Sequence, residues 1–159
     1  MVSGYLDKMK RSESTIALPV VKEILGNNAT STELQRGITF RQFAKYVCSK
    51  KDKELNSHWR SQSAFIQLEY DFVATLENIE EDFIKIQQKT HCTTALPKVG
   101  QQSLANEGEH PNASDVPMFQ INKLTTKPNY MDFYTPDLKE MVQDRYKDDV
   151  RFYNFVAGL

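Results

Sequence analysis

The sequence has 159 residues, 40% of them hydrophobic and 26% charged, which is the composition and size of one globular domain. Twenty basic residues against 21 acidic ones leave a net charge of −1. That excludes a global field for nucleic acid or an anionic membrane, so any anion site must be local. No apolar run of about 18 residues occurs and the N-terminus lacks the pattern of a signal peptide, so the chain as it stands reads as soluble and without an export signal. Cys48 and Cys92 are too few for a disulfide framework and have no metal-ligand spacing. One bridge between them stays open, in an oxidising compartment only.

Taken in chain order, Ser3 to Arg11 is helix-like. Ile16 to Leu25 carries Ile16, Val20, Val21, Ile24 and Leu25 on one helical face, interrupted early by Pro19 and stopped by Gly26-Asn27-Asn28. Thr39-Phe40-Arg41-Gln42 is a capping box, and Phe40, Phe43, Ala44 and Val47 form the buried stripe of the helix it starts. A polar loop from Lys50 to Ser57 leads into His58-Trp59-Arg60. Phe72 to Leu76 favours a strand that passes through Glu77 into a helix bearing Ile79, Phe83, Ile84 and Ile86, with acids in its first turns. The order of apolar run, acid and amphipathic helix is that of an α/β enzyme delivering side chains to a sheet edge.

Thr93 to Pro117 holds Pro97, Gly100, Gly108, Pro111 and Pro117 and few large apolar groups, and is expected to be an exposed, mobile insertion. Thr135-Pro136, an N-cap followed by proline at the first helical position, opens a last helix with Leu138, Met141, Val142, Tyr146, Val150 and Phe152. No internal repeat is present.

Four stretches carry a resemblance: Phe40 to Phe43, His58-Trp59, Tyr70 to Glu77 with Asp82, and Tyr134 to Phe155. They stand in the order seen in the Golgi carbohydrate O-sulfotransferases of the heparan, chondroitin and dermatan type, which the chain resembles over most of its length outside the insertion. The resemblance implies an α/β, P-loop-like domain, helix-rich in this segment. It also implies transfer of a sulfuryl group from the nucleotide donor PAPS, without a metal, to the hydroxyl of a carbohydrate acceptor, and an address in the Golgi lumen or membrane.

Such enzymes are most alike at a glycine-containing loop that holds the 5′ phosphosulfate and at an Arg followed by a Ser that holds the 3′ phosphate. Val2-Ser3-Gly4-Tyr5-Leu6-Asp7-Lys8 is similar to the end of the second segment, with Ser3 in the phosphate position. The preceding Arg would lie upstream of Met1, and the phosphate loop has no counterpart. The expectation is a C-terminal portion of such an enzyme, inactive alone, because sulfuryl transfer rests on positioning and on stabilising charge at the transferring group.

Each candidate has two readings. Ser3 is either a phosphate ligand or an ordinary small helix residue. His58 is either a proton acceptor for the acceptor hydroxyl or a structural histidine beside a packed Trp59. Arg60 binds donor phosphate or an acidic sugar, or is a solvated loop arginine. Lys123-Leu124-Thr125-Thr126-Lys127 resembles the late family loop that closes over the nucleotide, with Thr125, Thr126 and Lys127 as its ligands, or is a polar turn before Pro128.

Other features lean towards structure. Glu77 and Asp82 read as a capping and salt-bridge pair, and the aromatic tail from Tyr130 to Phe155 as core. Asn28-Ala29-Thr30 and Asn112-Ala113-Ser114 match the glycosylation pattern in predicted loops. Two further classes stay open: a non-catalytic sulfotransferase remnant acting as a binding module, and an unrelated small helical binding protein.

Overall fold

Thr39 begins the element around which the fold is organised. In the computed structural model, which describes residues 1–11, 14–66, 70–96, 107–108 and 110–158, Thr39 caps α4 (Phe40–Ser49). Its hydroxyl accepts from the Gln42 N–H at 3.2 Å and the Gln42 side-chain oxygen accepts from the Thr39 N–H at 2.9 Å. The stripe that follows is fully buried: Phe40, Phe43, Ala44 and Val47 are each 0% exposed.

The described residues fall into two compact units. One is drawn from Met1–Arg60 and Leu104–Arg145, the other from Ser61–Ser103 and Tyr146–Leu159. In the first, α1 (Val2–Lys8) lays Tyr5 against Phe40 and Phe43, both at 5.4 Å between ring centres. Phe133, in the 3₁₀ turn Tyr130–Phe133, meets Phe40 edge-on at 5.5 Å, and Trp59 meets Phe43 at 5.2 Å. Tyr5 donates its hydroxyl proton to the Ile38 carbonyl at 2.8 Å, and burial pushes its phenol pKa up. Burying such side chains contributes about 1.5–3 kcal/mol each.

Helix α2 (Ala17–Leu25) packs Val20 and Val21 inward. Pro19 is tolerated because it lies in the first turn, where the missing N–H has no helical partner. Gly26, at φ 93°, ends the helix in a conformation that a β-carbon would strain. Glu23 on α2 accepts from both Lys50 and, at 3.3 Å, the Tyr46 hydroxyl, which fastens α2 to α4.

Several elements depart from the sequence expectation. Helix α3 (Ser31–Arg36) has its own capping box, Thr30 with Glu33, but buries no residue. Helix α6 (Met118–Lys123) buries Met118 and Ile121. Within residues 110–117, read as part of an exposed insertion, Pro111, Asn112 and Asp115 are exposed but Ala113 and Ser114 are 1% and 0% exposed, and Pro117 bridges Thr39. Arg41 explains this, because its guanidinium grips Asp115 through Nε at 2.7 Å and Nη2 at 3.2 Å, and Asp137 through Nη1 at 2.7 Å. The middle of the expected insertion, residues 97–106 and 109, lies outside the described residues.

Among the described residues the only ladder is parallel and two residues long, β1 (Glu107–Gly108) on β2 (Lys127–Pro128). Helix α7 (Pro136–Arg145) starts after Thr135 as expected, with Leu138 fully buried, and Arg145 reaches Asp52 at 2.6 Å. The single last helix of the sequence reading is divided: Tyr146 leaves helical geometry at φ −108°, ψ 24°, and α8 (Lys147–Ala157) starts anew with Asp148 and Asp149 in its first turn.

In the second unit, Asp149 on α8 accepts from the Gln62 and Ser63 N–H groups at 2.9 and 2.8 Å, capping the 3₁₀ turn Ser63–Phe65. The expected strand Phe72 to Leu76 is irregular, since no neighbouring strand takes up its backbone groups among the described residues. Asp82, in the first turn of α5 (Ile79–Thr90), accepts from the Thr75 N–H at 3.3 Å and pairs with Lys85 at 2.8 Å. Its ion-pair partner is thus Lys85, and Asn78 at the N-cap of α5 makes no side-chain cap bond.

Candidate functional site

Helix α1 has two faces, set by spacing. Val2 and Tyr5 point into the core, which leaves Ser3 and, one turn on, Asp7 exposed on the other side. Between them Gly4 permits a close approach: a β-carbon there would sit 3.3 Å from Cδ1 and Nε1 of Trp59 and 3.8 Å from the His58 carbonyl. The indole, 3% exposed, therefore lies against the α1 backbone and meets Phe43. This packing brings two motifs distant in sequence, Val2-Ser3-Gly4 and His58-Trp59-Arg60, to one place.

His58 itself is exposed, its N–H turned back to Asn56 Oδ1 at 3.1 Å. The hydrogen-bonded Lys8 ammonium, and more weakly the nearby His58 ring, hold the Asp7 carboxyl below the usual carboxylate range. Ser3 and Asp7 thus lie on the exposed side of α1, with His58 near Asp7. Arg60 is half-buried and spends its Nε–H on the Leu55 carbonyl at 2.8 Å, closing the 55–60 turn. The structural reading of Arg60 thereby acquires a definite partner.

The loop after α6 is built differently. Lys127 directs its ammonium to the carbonyls of Ile121, Asn122 and Leu124 at 3.1, 3.4 and 3.4 Å. It is a cation on the C-terminal carbonyls of α6, which is the stabilising place for one. Thr126 places Oγ1 3.0 Å from Nε2 of His110, and Thr125 is exposed. Asn122 donates to the Lys10 carbonyl at 3.1 Å, so the loop is fastened beyond the far end of α1 from Ser3. Seven residues of helix, about 10 Å, run between those ends. The segments of Ser3 and His58 adjoin through Gly4 and Trp59; Thr125, Thr126 and Lys127 form a second group.

Sequence reasoning passed over His110 and Asp132. Asp132 Oδ2 accepts from the Asn129 N–H at 2.9 Å and the His110 N–H at 3.3 Å, which pins His110 beside the loop. Nothing local in the sequence marks this pairing, since His110 lies in a stretch composed like a linker.

Among the described residues no group of His, Cys, Asp and Glu is placed to hold a metal ion, and no helix is long and apolar enough to cross a membrane. Both cysteines are free. Burial pushes the Cys48 thiol up to about 11, and hydrogen bonds from Thr94 lower that of exposed Cys92. Of the two glycosylation patterns, Asn28 and Thr30 are exposed, while Ser114 is wholly buried with its hydroxyl on Asp115 at 3.0 Å.

No curated protein and no solved structure matches the chain. The family model described as the Sulfotransferase family does match, over residues 1–156. That span contains both the α1–Trp59 contact and the Thr125–Lys127 loop, and the chain belongs to the sulfotransferase family.

Proposed function

We propose that this domain serves the transfer of a sulfuryl group from PAPS to a hydroxyl of a carbohydrate acceptor, as part of an α/β, P-loop-like sulfotransferase fold working in the Golgi lumen. The observation that supports the reading is the seating of α1 on Trp59 through Gly4, which sets the helix of Ser3 and Asp7 against the His58-Trp59-Arg60 segment. In this reading Ser3 donates its hydroxyl proton to the nucleotide's 3′ phosphate. His58 accepts the proton of the attacking sugar hydroxyl, a task suited to an imidazole near neutral pH. Arg60 supplies a nearby guanidinium for the donor phosphate or an acidic sugar. Thr125, Thr126 and Lys127 are the second phosphate contact.

The 3′ phosphate assigned to Ser3 is already charged in the bound nucleotide, so loss of the hydroxyl should be felt first in nucleotide binding. Calorimetry with adenosine 3′,5′-bisphosphate tests this: Ser3→Ala should weaken binding about tenfold, the value of one hydrogen bond to a charged group. Equal affinity of the two chains would remove Ser3 from the site.

A second reading, a non-catalytic glycan-binding module, is favoured by the engagement of Lys127 with three carbonyls of the α6 end. Retention of the chain on a sulfated or uronate-bearing glycan column, with no label transferred from radioactive PAPS to that glycan, would select it.

A further inference from the structure

We infer that His110 is a positioning residue for the loop Thr125–Lys127, its ring deciding whether the Thr126 hydroxyl can donate to an anion. The inference rests on the proposed phosphate role of that loop. Its physical basis is that a hydroxyl has one proton and two acceptor lone pairs. Nε2 of His110 stands 3.0 Å from Oγ1 of Thr126, so the two share one proton between them. When Nε2 is bare, Thr126 must donate to it and presents only lone pairs outward, which repel a phosphate. When Nε2 carries a proton, Thr126 accepts from the ring and its own proton is released to an incoming anion.

The backbone of His110 is held in this place by ties on each side. The His110 N–H donates to Asp132 Oδ2 at 3.3 Å, the oxygen that also accepts the Asn129 N–H at 2.9 Å. Its carbonyl accepts the Ala113 N–H at 3.2 Å. Just before it, Glu107–Gly108 pairs in parallel with Lys127–Pro128, the strand that follows Thr126 directly. The charged groups on the adjoining elements are Asp132, Lys127 on the α6 carbonyls, and Asp115 held by Arg41.

Of the two forms with a proton on Nε2, one neutral tautomer and the imidazolium, only the imidazolium adds positive charge opposite the anion. Anion binding therefore draws a proton onto His110. By linkage, ring protonation and anion binding favour each other, so affinity rises as pH falls.

The experiment is a pH titration of the ring nitrogens by ¹H–¹⁵N NMR on the whole folded chain, with and without adenosine 3′,5′-bisphosphate, alongside calorimetry. The expected result is a rise of roughly half a unit to one unit in the His110 midpoint with ligand, with exposed His91 unmoved. Since a full unit is a factor of ten, affinity should gain about 3- to 10-fold between about pH 8 and 6 relative to His110→Gln. His110→Gln keeps a neutral N–H donor and shares the nucleotide's own titration, so the comparison cancels the ligand. Thr126→Val should abolish the midpoint shift; it also serves if His110→Gln does not fold. Binding with an unmoved His110 midpoint overturns the positioning role and leaves the nucleotide reading intact. No binding at pH 6 by a chain whose spectrum is that of the folded protein overturns both.

Discussion

In the unit built on α4, the rings of Tyr5, Phe40, Phe43, Trp59 and Phe133 meet at centroid distances of 5.2 to 6.1 Å, with Phe40 and Phe43 fully buried. In the unit of α5 and α8 the buried residues among those described are Ser61, Thr75 and Asp82, all polar, while Leu76, Ile84 and Phe155 are 85%, 54% and 83% exposed. Both units contain amphipathic helices of similar length. The difference is that α4 has apolar faces of α1, α2 and α7 to meet, whereas the second unit is fastened by backbone-to-carboxylate bonds at Asp82 and Asp149. An amphipathic stripe becomes a core only when a second apolar layer covers it.

The largest expected effect breaks this contrast most directly. Phe43→Ala removes a ring from the closed core and should cost about 3–5 kcal/mol. Ile84→Ala, at a half-exposed position of α5, should stay within about 0.5 kcal/mol. Urea denaturation followed by circular dichroism reads both, and equal losses would mean that α5 is covered in solution.

Next comes Arg41, whose side chain is 24% exposed and whose partners Asp115 and Asp137 stand far along the chain. Arg41→Ala should cost about 1–2 kcal/mol, and Arg41→Lys should recover under half of it, because an ammonium cannot hold Asp115 through two nitrogens. The same pair sets an acid dependence. The Arg41 guanidinium holds the Asp115 carboxyl below its ordinary range, and the Thr135 hydroxyl and then Arg41 do so for Asp137. Folded-state values depressed in this way stabilise the protein above the unfolded carboxylate range, near pH 4, and the stabilisation is lost as pH falls through the lower folded values. Melting temperatures from about pH 5 down to 2 should fall more steeply for the natural chain than for Arg41→Ala. Parallel curves would show that the pair contributes nothing to folding.

These residues also show what was legible. The capping box at Thr39 and the stripe of Phe40, Phe43, Ala44 and Val47 were readable because cap and period are local properties of a helix. The packing of residues 110–117 was not, because it depends on Arg41 reaching Asp115, a pairing with no local signature. Composition misled there: small residues such as Ala113 and Ser114 look like linker yet fit a tight contact. The strand read at Phe72 to Leu76 failed for a related reason, since strand-favouring residues need a neighbour to pair with. At the candidate site the residue types were readable, but their engagement was not. Nothing in Lys123-Leu124-Thr125-Thr126-Lys127 announces that the Lys127 ammonium sits on the α6 carbonyls, or that Thr126 meets His110.

The smallest effect compares two copies of one motif. Thr39 and Thr30 cap α4 and α3 with the same reciprocal hydrogen bonds, to Gln42 and Glu33. A cap contributes about 1 kcal/mol to the helix it starts. It reaches global stability only if that helix unfolds together with the core. Helix α4 buries Phe40, Phe43, Ala44 and Val47 and cannot open alone, so Thr39→Ala should lower the global midpoint by the full cap value. Helix α3 buries nothing, so it can fray while the core stays closed. Thr30→Ala should therefore leave the urea midpoint within error and appear only as faster hydrogen exchange at the Leu34 amide, which bonds the Thr30 carbonyl at 3.0 Å, and at that of Gly37, which bonds the Glu33 carbonyl at 3.1 Å. An equal drop in the midpoint for both variants would show that α3 belongs to the cooperative unit despite its exposed faces, and the division between covered and uncovered helices would have to be redrawn within the first unit itself.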